Sequence, residues 1–150
     1  MPWDAASFGG INYTIMKEQL LATLQKSKHY TLAVAAAMPG KSYDFKPADD
    51  VWNFGELLSH IAYGIYWWED NFIKGAKTDW NPPAPKATQA AVLKAIEAAY
   101  ASVENTVKQL SPGHEGLAGF HATLDHITHH RGQATVYLRC KGITPPEYEY

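Results

Sequence analysis

Breaks containing proline or glycine divide this chain into four segments, and the apolar residues of each segment recur with the period of an α-helix. The breaks lie at Pro39-Gly40, at Gly75 with the proline-rich connector that follows it, and at Ser111-Pro112-Gly113. Proline cannot continue a helix, and glycine commonly ends one. The predicted helices cover approximately residues 11–38, 53–74, 85–110 and 120–140. No segment alternates apolar and polar residues as a strand would. The pattern predicts an all-α fold, a four-helix bundle, formed by a single domain over residues 1–150.

The apolar stripes of these segments predict which side chains face the core. The stripe of the first segment includes Ile15, and that of the second runs unbroken from Phe54 to Phe72. Aspartate often caps a helix, because its side-chain oxygen accepts a hydrogen bond from a free N–H of the first turn. Asp49 or Asp50 is therefore predicted to cap the second helix.

Charge and composition exclude several classes of function. The net charge is −2, with both signs scattered, so no basic footprint for nucleic acid is present. No apolar run approaches the roughly 20 residues of a membrane span, and the first residues lack the layout of a signal peptide. The lone cysteine, Cys140, excludes an intrachain disulfide and is expected to be inert, so a cytoplasmic protein is predicted. Five tryptophans suggest a bulky core or an aromatic-lined pocket.

Three histidines lie on the margins of apolar stripes. His126 and His130 are four residues apart, so their rings stack on one face of the fourth helix. His60 occupies the matching position on the second helix, and Gly64, one turn later, leaves space beside it. If these helices are neighbours, the three rings converge on one divalent metal ion with open coordination positions.

The same histidines could instead be core residues that only fill space, which is the usual role of a histidine on a half-apolar helix face. His129 points to the polar side, as a surface histidine or as a proton acceptor at the mouth of a pocket. Arg131 falls inside the apolar stripe and needs partners if it is buried. It is expected to pin a helix end or a carboxylate in the core, more than to contact a substrate.

Two blocks of sequence carry a recognisable pattern. The C-terminal block comprises HITHHRGQ at 126–133, YLR at 137–139, KGI at 141–143 and PPEY at 145–148. The upstream block comprises YDFKP at 43–47 and VWNFGELLSH at 51–60. In this order and at this separation, the blocks resemble the DinB-like (DinB/YfiT) superfamily over nearly the whole chain.

The resemblance implies a bundle with up-down-down-up connectivity, often a homodimer. It also implies a divalent metal, zinc or nickel, bound by the residues at the motif positions, His60, His126 and His130. Relatives include transferases and isomerases that use bacillithiol, mycothiol or glutathione, and in these the metal lowers the pKa of the thiol.

The combined expectation is a metal-dependent enzyme that acts on a small-molecule substrate by thiol transfer or through a metal-activated water. The alternatives are a non-catalytic protein that binds a metal or small molecule in a stress response, and a plain structural bundle. Glu56 is a candidate general base or a partner that orients a ligand ring. The predicted pocket residues are Tyr63, Trp67, Gln133 and Tyr137.

Overall fold

The computed structural model describes residues 5–111 and 116–149, with side chains from residue 12 onward, and its regular structure is entirely helical. The four long helices are α1 (Ala5–Ala37), α2 (Phe54–Trp68), α3 (Gln89–Gln109) and α4 (Gly116–Cys140). A 3-10 turn at Gly40–Ser42 follows α1, and a π-helical turn at Glu69–Ile73 extends α2. The predicted all-α four-helix bundle is confirmed. None of the helices within the described residues is both long and apolar enough to cross a membrane.

Contacts along the bundle establish the direction of each helix. Tyr137 near the end of α4 donates a hydrogen bond to the carbonyl of Trp52, just before α2, and Gly119 near the start of α4 packs against Phe72. Therefore α2 and α4 are antiparallel. Ser59, in the first half of α2, contacts Lys86, which precedes α3. Glu69, directly after α2, contacts Thr106 near the end of α3. These two helices are therefore parallel.

The contacts of α1 complete the topology. Gln89 at the start of α3 bonds the carbonyl of Met38 after α1, and Lys17 bonds the carbonyl of Lys108 near the end of α3. Helix α1 is therefore antiparallel to α3. The order is up-down-down-up, as expected from the resemblance. Because α2 and α3 are parallel, the connector over 75–88 must return along the length of the bundle.

A polar cluster ties α1, α3 and α4 together inside the core. The hydroxyl of Tyr100 lies 2.8 Å from that of Ser27 and 2.9 Å from that of Thr31. Arg131 is 4% exposed, donates to the Ser27 carbonyl (3.2 Å) and the Thr31 hydroxyl (3.1 Å), and lies over the ring of Tyr30. The prediction that Arg131 pins a helix end or a carboxylate is wrong. It instead donates hydrogen bonds to the middle of α1. The Thr31 hydroxyl donates its hydrogen to the Ser27 carbonyl, so its oxygen can accept a hydrogen bond from Arg131.

The predicted apolar stripes fail at two positions. Ile15 is 48% exposed, because it lies five residues, or about 140° of helical rotation, from buried Leu20. Phe72 is 47% exposed because the π-helical turn inserts one extra residue per turn, which shifts the phase. Ile73 takes the core position instead, and Glu69 becomes fully buried.

The cap of α2 also differs from the prediction. Asn53 caps the helix, not Asp49 or Asp50: its side chain accepts from the backbone N–H of Glu56, and the Glu56 carboxylate accepts from the backbone N–H of Asn53. This reciprocal pair is a capping box. Two orphan donors at the start of α2 are thereby satisfied.

Two glycines of α4 provide a matched test of the α2–α4 packing. A Cβ on Gly119 would lie 2.0 Å from the carbonyl oxygen of Phe72, whereas a Cβ on Gly132 would meet nothing within 4 Å. We expect Gly119→Ala to destabilise the protein by about 1–3 kcal/mol, since backbone must move. Gly132→Ala should stabilise it by about 0.5–1 kcal/mol through helix propensity. Urea unfolding of both variants measures this, and equal effects would contradict the close approach.

Candidate metal centre

The rings of His60, His126 and His130 meet between α2 and α4. One ring nitrogen from each lies within 4.8 Å of the others. The Nε2 atoms of His60 and His130 are 3.0 Å apart, and the ring centroids of the three residues lie 4.4–5.2 Å from one another. Three nitrogen ligands on one side of an ion match a zinc-type site that keeps positions open for a further ligand. The three side chains can hold a metal ion.

The antiparallel packing of α2 and α4 brings these rings together. His60 lies opposite His130, and Gly64, one turn further along α2, lies opposite His126. A Cβ on Gly64 would lie 2.0 Å from Nε2 of His126. The space at Gly64, predicted to lie beside His60, is occupied by His126 from the neighbouring helix. With any other residue at position 64, either the His126 ring or one of the two helices would have to move.

Burial keeps this cluster of histidines neutral. It lowers the pKa of His126 from 6.5 to about 3, with repulsion from His130, His60 and His129 as further causes. Burial and then His130 lower the pKa of His60 to about 4. Burial also lowers the pKa of His130, against an opposing hydrogen bond from Gln133. Neutral imidazoles are the form that binds a metal.

His126 provides the observation that favours a metal site over simple packing. Its Nε2 atom is buried and has no hydrogen-bond partner within the part of the chain that the structure describes. An unsatisfied buried polar atom of this kind costs about 1–3 kcal/mol. An ion between the three rings would accept its lone pair. The residues present therefore fit a divalent metal bound by nitrogen.

Gln133 sets the orientation of one ring. Its amide oxygen lies 2.8 Å from Nδ1 of His130, and only a protonated Nδ1 can donate to that oxygen. In the neutral ring, Nε2 then carries the lone pair and faces His60. His129 is exposed, its ring centroid is 4.7 Å from that of His130, and its Nε2 lies 3.5 Å from the Gln133 amide nitrogen.

Two tryptophans that the sequence analysis did not single out flank His60. The ring centroid of Trp52 lies 4.5 Å from that of His60, and that of Trp80 lies 5.2 Å from it. Tyr137, predicted as a pocket residue, is 8% exposed and instead bonds the Trp52 carbonyl at 2.8 Å. The tryptophan-rich composition was the available signal, but it did not say which tryptophans would surround the site.

The connector over 75–88 is held against α2 by hydrogen bonds. The indole of Trp67 donates to the Thr78 carbonyl (3.2 Å), and the Tyr63 hydroxyl accepts from the backbone N–H of Asn81 (3.0 Å). Trp67, predicted to line a pocket, therefore anchors the connector. These bonds hold Trp80 over His60.

A cavity of about 860 Å³ opens beside His60, between α2, α3 and the connector. Of the predicted pocket residues, Tyr63 and Glu56 line it. The Glu56 carboxylate also accepts the bond of the helix cap, which leaves it less available as a base. Trp67, His129, Gln133 and Tyr137 lie outside its walls. The volume falls within the roughly 300–1,000 Å³ of small-molecule sites.

Comparison with protein families identifies the superfamily of this chain. The DinB superfamily matches residues 23–134, and the DinB family matches residues 120–150. The chain belongs to the DinB superfamily. The first match contains all three histidines of the cluster, so the resemblance seen in the sequence is confirmed. No curated protein matches this superfamily member.

Two solved structures of DinB-like proteins share the fold. One is from Bacillus cereus ATCC 10987, with a TM-score of 0.75 and 16% identity over 87% of this chain and 96% of the other. The second is YjoA from Bacillus subtilis, with a TM-score of 0.73 and 19% identity over 87% of this chain and 98% of the other. At these identities the likeness concerns the architecture alone.

The lowered pKa values predict how the stability of the metal-free protein depends on pH. The unfolded chain protonates His126 near 6.5, whereas the folded chain resists protonation until about 3. The free energy of unfolding should therefore fall as the pH decreases below about 6.5, and recover above it. Urea unfolding in chelator between pH 7 and 4 should show that unfolding of His126→Gln takes up about one proton fewer than wild type. His121→Gln, an exposed control on the same helix, should keep the wild-type slope, and identical slopes in all three proteins would contradict the burial of His126.

Proposed function

We propose that this DinB superfamily protein is a metal-dependent enzyme whose ion is held by His60, His126 and His130. The observation that carries the proposal is the buried, unpaired Nε2 of His126, in a ring that packs beside the neutral imidazoles of His60 and His130. Zinc or nickel suits three nitrogen ligands. When bound, the ion would lower the pKa of a thiol, as the family resemblance implies, or of a water.

The residues around the cluster have separate tasks in this proposal. Gln133 holds His130 with Nε2 toward the ion, as an outer partner commonly does for a metal ligand. Trp52 and Trp80 pack beside the ring of His60 and limit its freedom to turn. The cavity beside His60 admits the substrate, and a low-molecular-weight thiol such as bacillithiol, mycothiol or glutathione is the proposed second reactant.

A second function is a metal or small-molecule binding protein without catalysis. It is favoured by one specific observation: Glu56, one candidate for the general base, accepts the hydrogen bond of the α2 cap. Among the described residues, the cluster of candidate ligands contains only histidines. A site without an available carboxylate must find its proton acceptor elsewhere, and exposed His129 is the candidate left open.

Metal content tests the site itself. We expect mass spectrometry of protein purified without a polyhistidine tag to find about one equivalent of zinc or nickel. His60→Ala should lose it. Gln133→Ala should bind the metal roughly 10–100-fold more weakly, as loss of an outer partner does elsewhere.

His129→Ala is the matched control for metal content. It removes an exposed histidine next to His130 and should leave the stoichiometry unchanged. If wild-type protein takes up no zinc or nickel even after chelation and reloading, the three histidines are packing residues and the proposal fails.

Turnover separates the enzyme from the binding protein. Glutathione, bacillithiol and mycothiol are each offered 1-chloro-2,4-dinitrobenzene, on which the sulfur forms a bond to carbon as chloride leaves. We expect metal-loaded protein to accelerate formation of the coloured thioether with one of the thiols. His130→Ala should abolish the acceleration with the fold retained by circular dichroism, and exposed His121→Ala should keep it. Full metal loading without acceleration by any thiol would exclude thiol transfer and leave the metal-activated water and the binding protein.

A further inference from the structure

The residues that line the cavity beside His60 indicate which class of ligand it can bind. Four aromatic side chains line it, namely Trp52, Tyr63, Tyr66 and Trp80. Prolines of the connector, Pro82, Pro83 and Pro85, and the alanines Ala91, Ala95 and Ala98 of α3 also line it. Flat rings and prolines present apolar faces with little conformational entropy to lose on binding. Such walls suit a flat apolar body.

The charged groups on the wall are mainly positive. Lys86 lies on the connector and Lys94 on α3, and both line the cavity. None of the salt bridges among the described residues involves either ammonium group. Glu56 is the acidic residue of the lining, and the backbone N–H of Asn53 bonds its carboxylate at 2.7 Å. The cavity therefore offers two unpaired cations and one carboxylate already engaged in a hydrogen bond.

The cavity is held open by the fold and needs no ligand to form. The backbone N–H of Lys86 donates to the Ser59 hydroxyl (3.0 Å), one residue before His60, and that of Asn81 donates to the Tyr63 hydroxyl (3.0 Å). These two bonds fix both ends of the proline run against α2. The wall that carries Lys86 is thus attached next to a histidine of the proposed metal centre.

We propose that this cavity binds a small molecule with a flat apolar body, such as an aromatic ring system, and one anionic group such as a carboxylate. The rings and prolines take the body, and Lys86 and Lys94 take the anion. The inference rests on the proposed function, because it names the class of substrate presented to the site at His60. Aromatic walls alone would also suit an organic cation, but two unpaired lysines repel one.

Three dyes of similar size and different charge test the ligand class. They are 8-anilinonaphthalene-1-sulfonate, which is anionic, N-phenyl-1-naphthylamine, its neutral counterpart, and thioflavin T, which is cationic. Fluorescence titration of the full chain as purified should rank the anion tightest and the cation weakest. Lys86→Ala/Lys94→Ala should weaken the anionic dye about tenfold and leave the neutral dye unchanged.

Two further variants test whether the dyes bind in this cavity. Ala95→Phe fills the cavity and should weaken both naphthyl dyes, whereas Lys46→Ala/Lys77→Ala, which removes two exposed lysines outside the cavity, should change neither. Equal affinity for the anionic and neutral dyes, tighter binding of thioflavin T, or unchanged binding to Ala95→Phe would each overturn the proposal.

Repetition of the titration after metal removal separates this inference from the proposed function. The dye ranking depends on the cavity walls and should survive chelation, whereas metal content is measured independently on the same samples. Loss of the ranking with metal present would overturn the ligand class alone. An intact ranking in protein that never binds metal would support the ligand class and overturn the metal centre.

Discussion

The contact between His126 and Gly64 is the constraint on which the site depends. The His126 ring of α4 occupies the space where any residue other than glycine at position 64 would carry its Cβ. That contact allows the two helices to approach closely at the height of the cluster, where the Nε2 atoms of His60 and His130 lie 3.0 Å apart. A second close approach, between Gly119 and the backbone of Phe72, sets the separation further along the same pair. The close packing of α2 on α4 therefore brings the three histidine rings together and also contributes to the core of the bundle.

On the opposite side of α4 from the histidine cluster, a buried arginine is satisfied by partners on α1. Arg131 follows His130 directly in the sequence but points the other way, into a cluster of hydroxyls and a carbonyl from α1. A buried guanidinium is tolerated only where its donors are satisfied. One turn of α4 thus joins a nitrogen cluster facing α2 to a polar anchor facing α1. This arrangement ties the position of the histidines to the packing of the whole bundle.

The connector over 75–88 forms part of the cavity beside the helices. Parallel α2 and α3 require a chain segment that returns along the bundle, and its prolines and Trp80 form one wall of the cavity. Apolar residues on an exposed connector would be a liability if they were free. Here the hydroxyl of Tyr63 and the indole of Trp67 bond the connector and hold it in place. Of the predicted pocket residues of α2, Tyr63 lines the cavity. Trp67 does not line it, but bonds the connector that forms one of its walls.

The sequence alone determined the helices, their approximate ends and the alignment of His126 with His130, because these depend on period and on local breaks. It also indicated the cluster with His60, because the three residues share one position on their stripes. Only the tertiary structure decided that Gly64 makes room for His126, that Phe72 turns outward and that Trp52 and Trp80 flank His60. Each of these depends on a neighbour distant in sequence or, at the π-helical turn, on one extra residue in the helix. Local periodicity sets the face of a helix, but the partner of that face is chosen by packing over the whole chain.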